Sequence, residues 1–495
     1  MSMAVAAMSG TRPSEDQNPE ADPPSAAAAG AARSGPRLSP GFPALPLDGQ
    51  PPAAFGTNGH SVNGSGTNGH APQHGRPGAI PVSATLAANE IMARRRLAGE
   101  PVMPLAFGEA GLPAHPALRE ALAMAAGSNT YGPVAGLPSL REAAAGYWSR
   151  RGLPTSAESV ISGPGSKALL FGLVLALGTD VAVAQPSWVS YAAQMGMTGA
   201  RAHYVPTPPG GGGVCDPALL AAAVKEADAD GRRIGAVIVT LPDNPTGQLA
   251  QPATVRALAE VAEEHDLVII SDEIYRDLVF DTVPGFLSPA AIAPGRTVIT
   301  TGLSKNLALG GWRLGVARLP DGPLGRSLRD RLLGIGSEIW SSTAGPVQEA
   351  AAFAFREPPE LAERVARSRA LHKAVSRATA AAFTAAGAAV PEPQAAFYLY
   401  PDFGPNREHL ADRYSVTTGA GLASLLLERY GMGVLPASAF GESESALRMR
   451  VATGLLYGET DAERESALAA ADPVALPWIA ARLARIGEVL TDLAP

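Results

Sequence analysis

Thr297-Val298-Ile299-Thr300-Thr301-Gly302-Leu303-Ser304-Lys305, followed closely by Gly311-Trp312-Arg313, is the stretch on which the reading of this chain turns. Its β-branched run is expected to form a buried strand, and a lysine stands just past the end of it. Lysine is scarce here: Lys167, Lys225, Lys305 and Lys373 are the only ones, and arginine supplies almost all of the positive charge. A lysine kept at such a place points to what a guanidinium cannot do, which is to lose a proton and condense with an aldehyde.

Working outward, two more apolar runs end on polar residues. Val237-Ile238-Val239-Thr240-Leu241 leads into the turn Pro242-Asp243-Asn244-Pro245-Thr246-Gly247, which aims the Asn244 amide at a strand end. Leu267-Val268-Ile269-Ile270 is too short for a helix and ends in Ser271-Asp272-Glu273-Ile274-Tyr275. Earlier, Ser162-Gly163-Pro164-Gly165-Ser166-Lys167 places small residues just before an apolar helix, where backbone amides and a serine hydroxyl make an anion cradle. Arg313 brings a guanidinium suited to a phosphate dianion. A lysine for an aldehyde, an aspartate for a protonated ring nitrogen, an amide for a ring hydroxyl and a cradle for a phosphate are the parts of a pyridoxal phosphate (PLP) site.

Together with Tyr131-Gly132-Pro133-Val134-Ala135-Gly136, Pro186-Ser187-Trp188-Val189-Ser190-Tyr191 and Arg448, these motifs occur in an order that resembles the fold-type I PLP enzymes, specifically the class I/II aminotransferases related to bacterial aspartate aminotransferases. The likeness runs from about Ala88 to the C-terminus. It implies that Lys305 forms the Schiff base and shuttles the proton, that Asp272 pairs with the ring nitrogen, and that Asn244 and Tyr275 bond the ring hydroxyl. It further implies that Trp188 stacks on the ring and that Gly165, Ser166, Lys167, Ser304 and Arg313 surround the phosphate. Tyr131 would reach the phosphate of a neighbouring subunit, which implies a homodimer with shared sites. Alignment with the family places the substrate α-carboxylate on Arg448, with Arg450 as its rival two residues on, and makes Gly108 a lining residue of the substrate pocket, to which Trp188 and Asn244 also contribute.

The implied reaction moves an amino group between an L-amino acid and a 2-oxo acid. Two departures bear on the substrate: Gly108-Glu109-Ala110-Gly111 stands where the family usually has Gly-Glu-Pro-Asp, and Ala395-Ala396-Phe397-Tyr398 where Gly-Ala-Phe-Tyr is common. The stretch from Ser304 to Arg313 is also similar to that of ACC synthases, so elimination or replacement on an S-adenosylmethionine-type substrate, or oxidation, is the alternative chemistry. A binding-only regulator would have no need of the acid-base lysine.

Short apolar strands at 159–162, 181–184, 236–241, 267–270, 298–301 and 314–317 alternate with helical stretches such as 252–264. That alternation predicts an α/β fold with a mainly parallel central sheet between helices, joined to a smaller α+β domain. The expected division is a disordered low-complexity tail at 1–82, an N-terminal segment at 83–128 packing with the small domain, a large PLP-binding domain at 129–345 and a small domain at 346–495. The tail repeats Gly-Thr-Asn-Gly-His at 56–60 and 66–70; His60, His70 and His74 fix no geometry in such a segment, and no metal is expected.

Composition sets the remaining limits. A net charge of −7 leaves no electrostatic footprint for nucleic acid. No apolar run reaches membrane-spanning length, and the opening residues lack a basic stretch ahead of an apolar core. Cys215 is the only cysteine, so no internal disulfide forms, which suits a cytoplasmic setting.

Overall fold

The computed structural model describes residues 83–283 and 285–495. The tail expected at 1–82, with its three histidines, lies outside the described residues. A short strand β1 (Met103–Pro104) precedes the seven strands of the principal sheet: β2 (Val160–Gly163), β3 (Asp180–Gln185), β4 (Ala202–Pro206), β5 (Ile234–Thr240), β6 (Val268–Asp272), β7 (Thr297–Gly302) and β8 (Gly315–Arg318). They lie in the order β2-β8-β7-β6-β5-β3-β4. All neighbours are parallel except β8, which runs antiparallel to both β2 and β7.

Every residue of β5, β6 and β7 is buried. Helices on both faces explain why these strands read as continuous apolar runs rather than alternating ones. One face packs Val237, Val239 and Ile269 against Leu220, Val255 and Leu258. The other packs Ile238, Ile270 and Val298 against Leu169, Leu173 and Leu332. Each such aliphatic side chain contributes about 1.5–3 kcal/mol on burial. The helix expected at 252–264 is found as Pro252–Glu264. Strand β4 was not anticipated: it is an edge strand of which only Val205 is buried, so its sequence carries no apolar run. The reversal of β8 has no sequence signal either.

The smaller part holds a three-stranded antiparallel sheet, β9 (Tyr398–Leu399), β11 (Leu435–Pro436) and β12 (Met449–Ala452), in the order β11-β12-β9, and a parallel pair in which β1 joins β10 (Met432–Gly433). Its core packs the long helix Pro359–Ala385 against the C-terminal helix Pro477–Leu493, through Leu371, Val375, Phe383, Ile479 and Ile486. The packing is finer than the expected boundaries. Residues 83–128 are divided, with Ala84–Leu97 and β1 against the smaller sheets and Pro116–Met124 against the helix Gly345–Phe355. That last helix in turn lies on Pro138–Ser149 and shares the core beside β2, β7 and β8, although it falls past residue 345. Among the described residues no helix is long and apolar enough to cross a membrane.

Candidate active site

The carboxyl ends of β5, β6 and β7 bring Asn244, Asp272 and Lys305 together, the edge at which open parallel sheets collect their ligands. Asp272 closes β6, with Thr240 of β5 and Thr300 of β7 as its register partners. Its carboxylate accepts from Tyr191 Oη at 3.0 Å and Thr300 Oγ1 at 3.3 Å. No arginine or lysine pairs with it among the described residues. Burial pushes its pKa up to about 6, against the hydrogen bonds from Tyr191 and Thr300. A buried carboxylate held this way is costly unless a cation meets it, and a protonated ring nitrogen is such a cation.

Lys305 is half-buried, and its Nζ donates to the Gly108 carbonyl at 2.6 Å. Burial lowers its pKa to about 8; Arg450 and Arg313 push the same way, and Glu109 and Asp272 oppose them. The amine is therefore nearer to its free, nucleophilic form at neutral pH than an exposed lysine. Asn244 Nδ2 lies 3.5 Å from Tyr275 Oη, which places the two expected partners of a ring hydroxyl side by side.

The phosphate cradle is built from close backbone contact. Gly165 has φ +91° and immediately precedes the helix Ser166–Leu177, whose start carries no side-chain cap. A Cβ on Gly315 would run into the backbone of Gly165 and Ser166, so only glycine lets β8 approach this turn. Arg313, itself left-handed at φ +53°, donates to Gly310 O at 2.8 Å and Pro164 O at 3.4 Å. Lys167 Nζ lies 4.9 Å from the Trp188 ring centroid, and Trp188 meets Tyr191 edge-on at 5.3 Å. Ser304 is half-buried in the turn that carries Lys305. Among the described residues Tyr131 makes no side-chain contact of this kind, and it is 91% exposed.

The two arginines considered for the carboxylate have different surroundings. The Arg448 side chain is 44% exposed and pairs with Asp402 and Glu442, each at 2.9 Å. Arg450 is 1% exposed and stands at the site: Nη1 donates to Asn244 Oδ1 at 3.1 Å, Nη2 to the Ala106 carbonyl, and the guanidinium lies 5.1 Å from the rings of both Tyr398 and Phe440. Among the described residues no carboxylate pairs with it, and its Nε is buried with no partner. Side chains two residues apart on a strand share a face, so alternation could not separate them. A rise of about 7 Å along the strand does, carrying one arginine to the rim and the other to the floor.

Other residues of the site escaped the sequence reading. Tyr191 lay inside a quoted motif without a role, yet it fixes Asp272 and bonds Thr240 Oγ1 at 2.9 Å. Tyr398 lay in a departure from the family pattern and donates to or accepts from Tyr275 Oη at 2.8 Å. Asp277 accepts from Tyr147 at 3.0 Å, Arg151 at 2.9 Å and Asn306 at 2.9 Å, tying the segment after Tyr275 to the residue after Lys305. Nothing in its surroundings in sequence signals that knot.

The residues present fit PLP: a buried carboxylate outside any salt bridge, a half-buried amine and an uncapped helix start beside an arginine suit its ring nitrogen, aldehyde and phosphate. Comparison with known proteins agrees. The aminotransferase class I and II family model matches residues 100–459. The probable aspartate/prephenate aminotransferase of Thermus aquaticus is 31% identical over 381 residues, covering 75% of this chain and 92% of the relative. The aspartate aminotransferase of Geobacillus stearothermophilus is 30% identical over 398 residues, covering 79% and 96%. Among solved structures, aspartate aminotransferase from Thermus thermophilus with maleate superposes with a TM-score of 0.69 at 28% identity, covering 83% of this chain and 97% of that one. The chain belongs to the class I and II aminotransferases, a family that uses PLP, and is itself an aminotransferase.

Proposed function

We propose that this aminotransferase binds PLP on Lys305 and exchanges amino groups between an α-amino acid and a 2-oxo acid whose carboxylate is held by Arg450. The observation that carries this reading is a pair of buried groups of opposite sign, Asp272 and Arg450, both within electrostatic reach of Lys305 and neither in a salt bridge among the described residues. Each is expensive to bury alone. Each becomes favourable when a charged group of the right sign is brought to it, the cofactor ring at one and the substrate carboxylate at the other.

When bound, PLP supplies an aldehyde for the amine and a ring that accepts electrons from the substrate Cα. Asp272 would keep the ring nitrogen protonated, the electrostatic part of the catalysis. Asn244 and Tyr275 would bond the ring hydroxyl, Trp188 would lie against the ring, and Gly165, Ser166, Lys167, Ser304 and Arg313 would hold the phosphate. Lys305 would be the base that takes the α-proton, and a pKa lowered to about 8 brings its amine nearer to the free form that step needs than an exposed lysine's. Arg450 orients the substrate through a fork that suits a carboxylate, while Gly108 and Trp188 border the path of its side chain. Tyr131, exposed in the single chain, would reach the phosphate of a second copy, which makes the working unit a homodimer. We read its compartment as cytoplasmic from the single, buried Cys215.

The test is to load the full-length protein with PLP and follow its visible absorption on adding a panel of amino acids, with mass spectrometry of the products. Loss of the aldehyde-form absorption with release of the matching 2-oxo acid, in the absence of oxygen consumption, is expected. A released leaving group with the spectrum restored would replace this reading with elimination.

A further inference from the structure

The Tyr275 hydroxyl has two polar neighbours besides the space where the cofactor would lie. Asn244 Nδ2 approaches its hydroxyl at 3.5 Å, and the Tyr398 hydroxyl stands at 2.8 Å. All three side chains are buried. The Tyr398 ring carries the Arg450 guanidinium 5.1 Å from its centroid, and Arg450 in turn bonds Asn244 Oδ1 at 3.1 Å. The four residues form a closed ring of contacts: Tyr275 to Tyr398, Tyr398 to Arg450, Arg450 to Asn244, and Asn244 back to Tyr275.

A hydroxyl has one proton to give. The Asn244 amide nitrogen is a donor only, so it can offer Tyr275 a proton and cannot accept one. Between the two tyrosines one proton lies along the 2.8 Å contact, and the other must point away from the pair. Among the described residues no protein acceptor for that outward proton is hydrogen-bonded to either tyrosine, and the side-chain hydrogen bond of Tyr398 is the one with Tyr275. If Tyr275 directs its proton to an anionic ring oxygen, the proton between the tyrosines has to come from Tyr398. The cation against the Tyr398 ring favours that direction. Space for the hydroxyl comes from Gly108, where a Cβ would collide with Tyr398 Oη.

We propose that Tyr398 is a positioning residue, donating its hydroxyl proton to Tyr275 and so committing the Tyr275 proton to the cofactor's ring oxygen. The inference rests on the assignment of Tyr275 to that oxygen. Donors in series polarise one another. Losing Tyr398's hydroxyl weakens Tyr275 as a donor, leaves the ring oxygen less stabilised as an anion, and lets the bound cofactor hold its proton to higher pH.

The experiment is a spectrophotometric pH titration of full-length, PLP-loaded protein in the wild type, Tyr275→Phe and Tyr398→Phe. Tyr275→Phe should move the colour change to higher pH, and Tyr398→Phe should move it the same way by about half a unit, a fraction of a hydrogen bond. With the Arg450 contact kept by the phenyl ring, the amino-acid KM of Tyr398→Phe should hold while kcat falls a few-fold. A titration for Tyr398→Phe that overlays the wild type while Tyr275→Phe is shifted overturns the proposal and leaves the cofactor assignments intact. If neither variant shifts, Tyr275 is not the ring-oxygen partner and both fall together. If the wild type takes up no PLP, the functional reading itself is wrong.

Discussion

Arg450 and Arg448 show what one residue's surroundings decide. Both are arginines in Leu447-Arg448-Met449-Arg450-Val451, and alignment favoured the first, yet only Arg450 is buried without a countercharge. Removing one partner of a buried charged pair costs roughly 2–5 kcal/mol, or more than about thirtyfold in an equilibrium or rate at 1.4 kcal/mol per tenfold. Arg450→Ala should therefore lower kcat/KM for amino acids by that factor or more while PLP uptake continues. Arg448→Ala, which breaks a half-exposed cluster, should change kcat/KM by less than about threefold. Steady-state kinetics of the two variants on one amino acid decides it, and the reverse pattern would return the anchor to Arg448. Lys305, Asp272 and Asn244 were legible because each ends an apolar run with a residue type that only chemistry explains. Lys305 carries its own prediction. Since its amine becomes free as pH rises through about 8, PLP uptake by cofactor-free protein should quicken up to that pH and then level off. An ordinary lysine would go on quickening to about 10.4. Borohydride reduction followed by peptide mapping should place the cofactor on Lys305, and Lys305→Ala should yield no labelled peptide.

Elements were legible to the degree that burial wrote them into the sequence. Strands β5, β6 and β7 are buried throughout and appeared as apolar runs; β4 at the edge did not, and the direction of β8 is set by how it pairs with β2 and β7 rather than by its own residues. The contacts between elements were the least visible. Asp277 sits in the short 3-10 turn after Tyr275, while its donors come from Tyr147 near the end of the helix Pro138–Ser149, from Arg151 just past that helix and from Asn306 beside Lys305. Such a carboxylate holds two segments of the site at a fixed spacing. Asp277→Ala leaves Arg151 with Glu357 as its remaining acidic partner and strips Tyr147 and Asn306 of their acceptor. The expected loss is about 3 kcal/mol of stability, from three part-buried hydrogen bonds at about 1 kcal/mol each, read as a lower melting temperature and a lower denaturation midpoint. Asn306→Ala removes one of those bonds and should cost about 1 kcal/mol. A melting temperature for Asp277→Ala within error of the wild type would mean that the knot adds nothing to the fold.

At the scale of the whole molecule, the exposed Tyr131 becomes a statement about inheritance between polypeptides rather than about one chain. If each site draws Lys305 from one copy and Tyr131 from the other, a lesion in either residue can be masked by a partner carrying the other lesion. Tyr131→Ala and Lys305→Ala, each impaired alone, should complement when unfolded and refolded together or co-expressed. Random pairing makes about half of the dimers mixed, and in each mixed dimer one site receives both lesions and the other receives none, so about one site in four is intact. Activity near that fraction, rising from two weak preparations, would be measured by mixing them at equal concentration and assaying after subunit exchange. No gain on mixing would mean that each chain works alone with its own tyrosine. A heterozygous cell making both variants would accordingly retain function that neither allele encodes by itself.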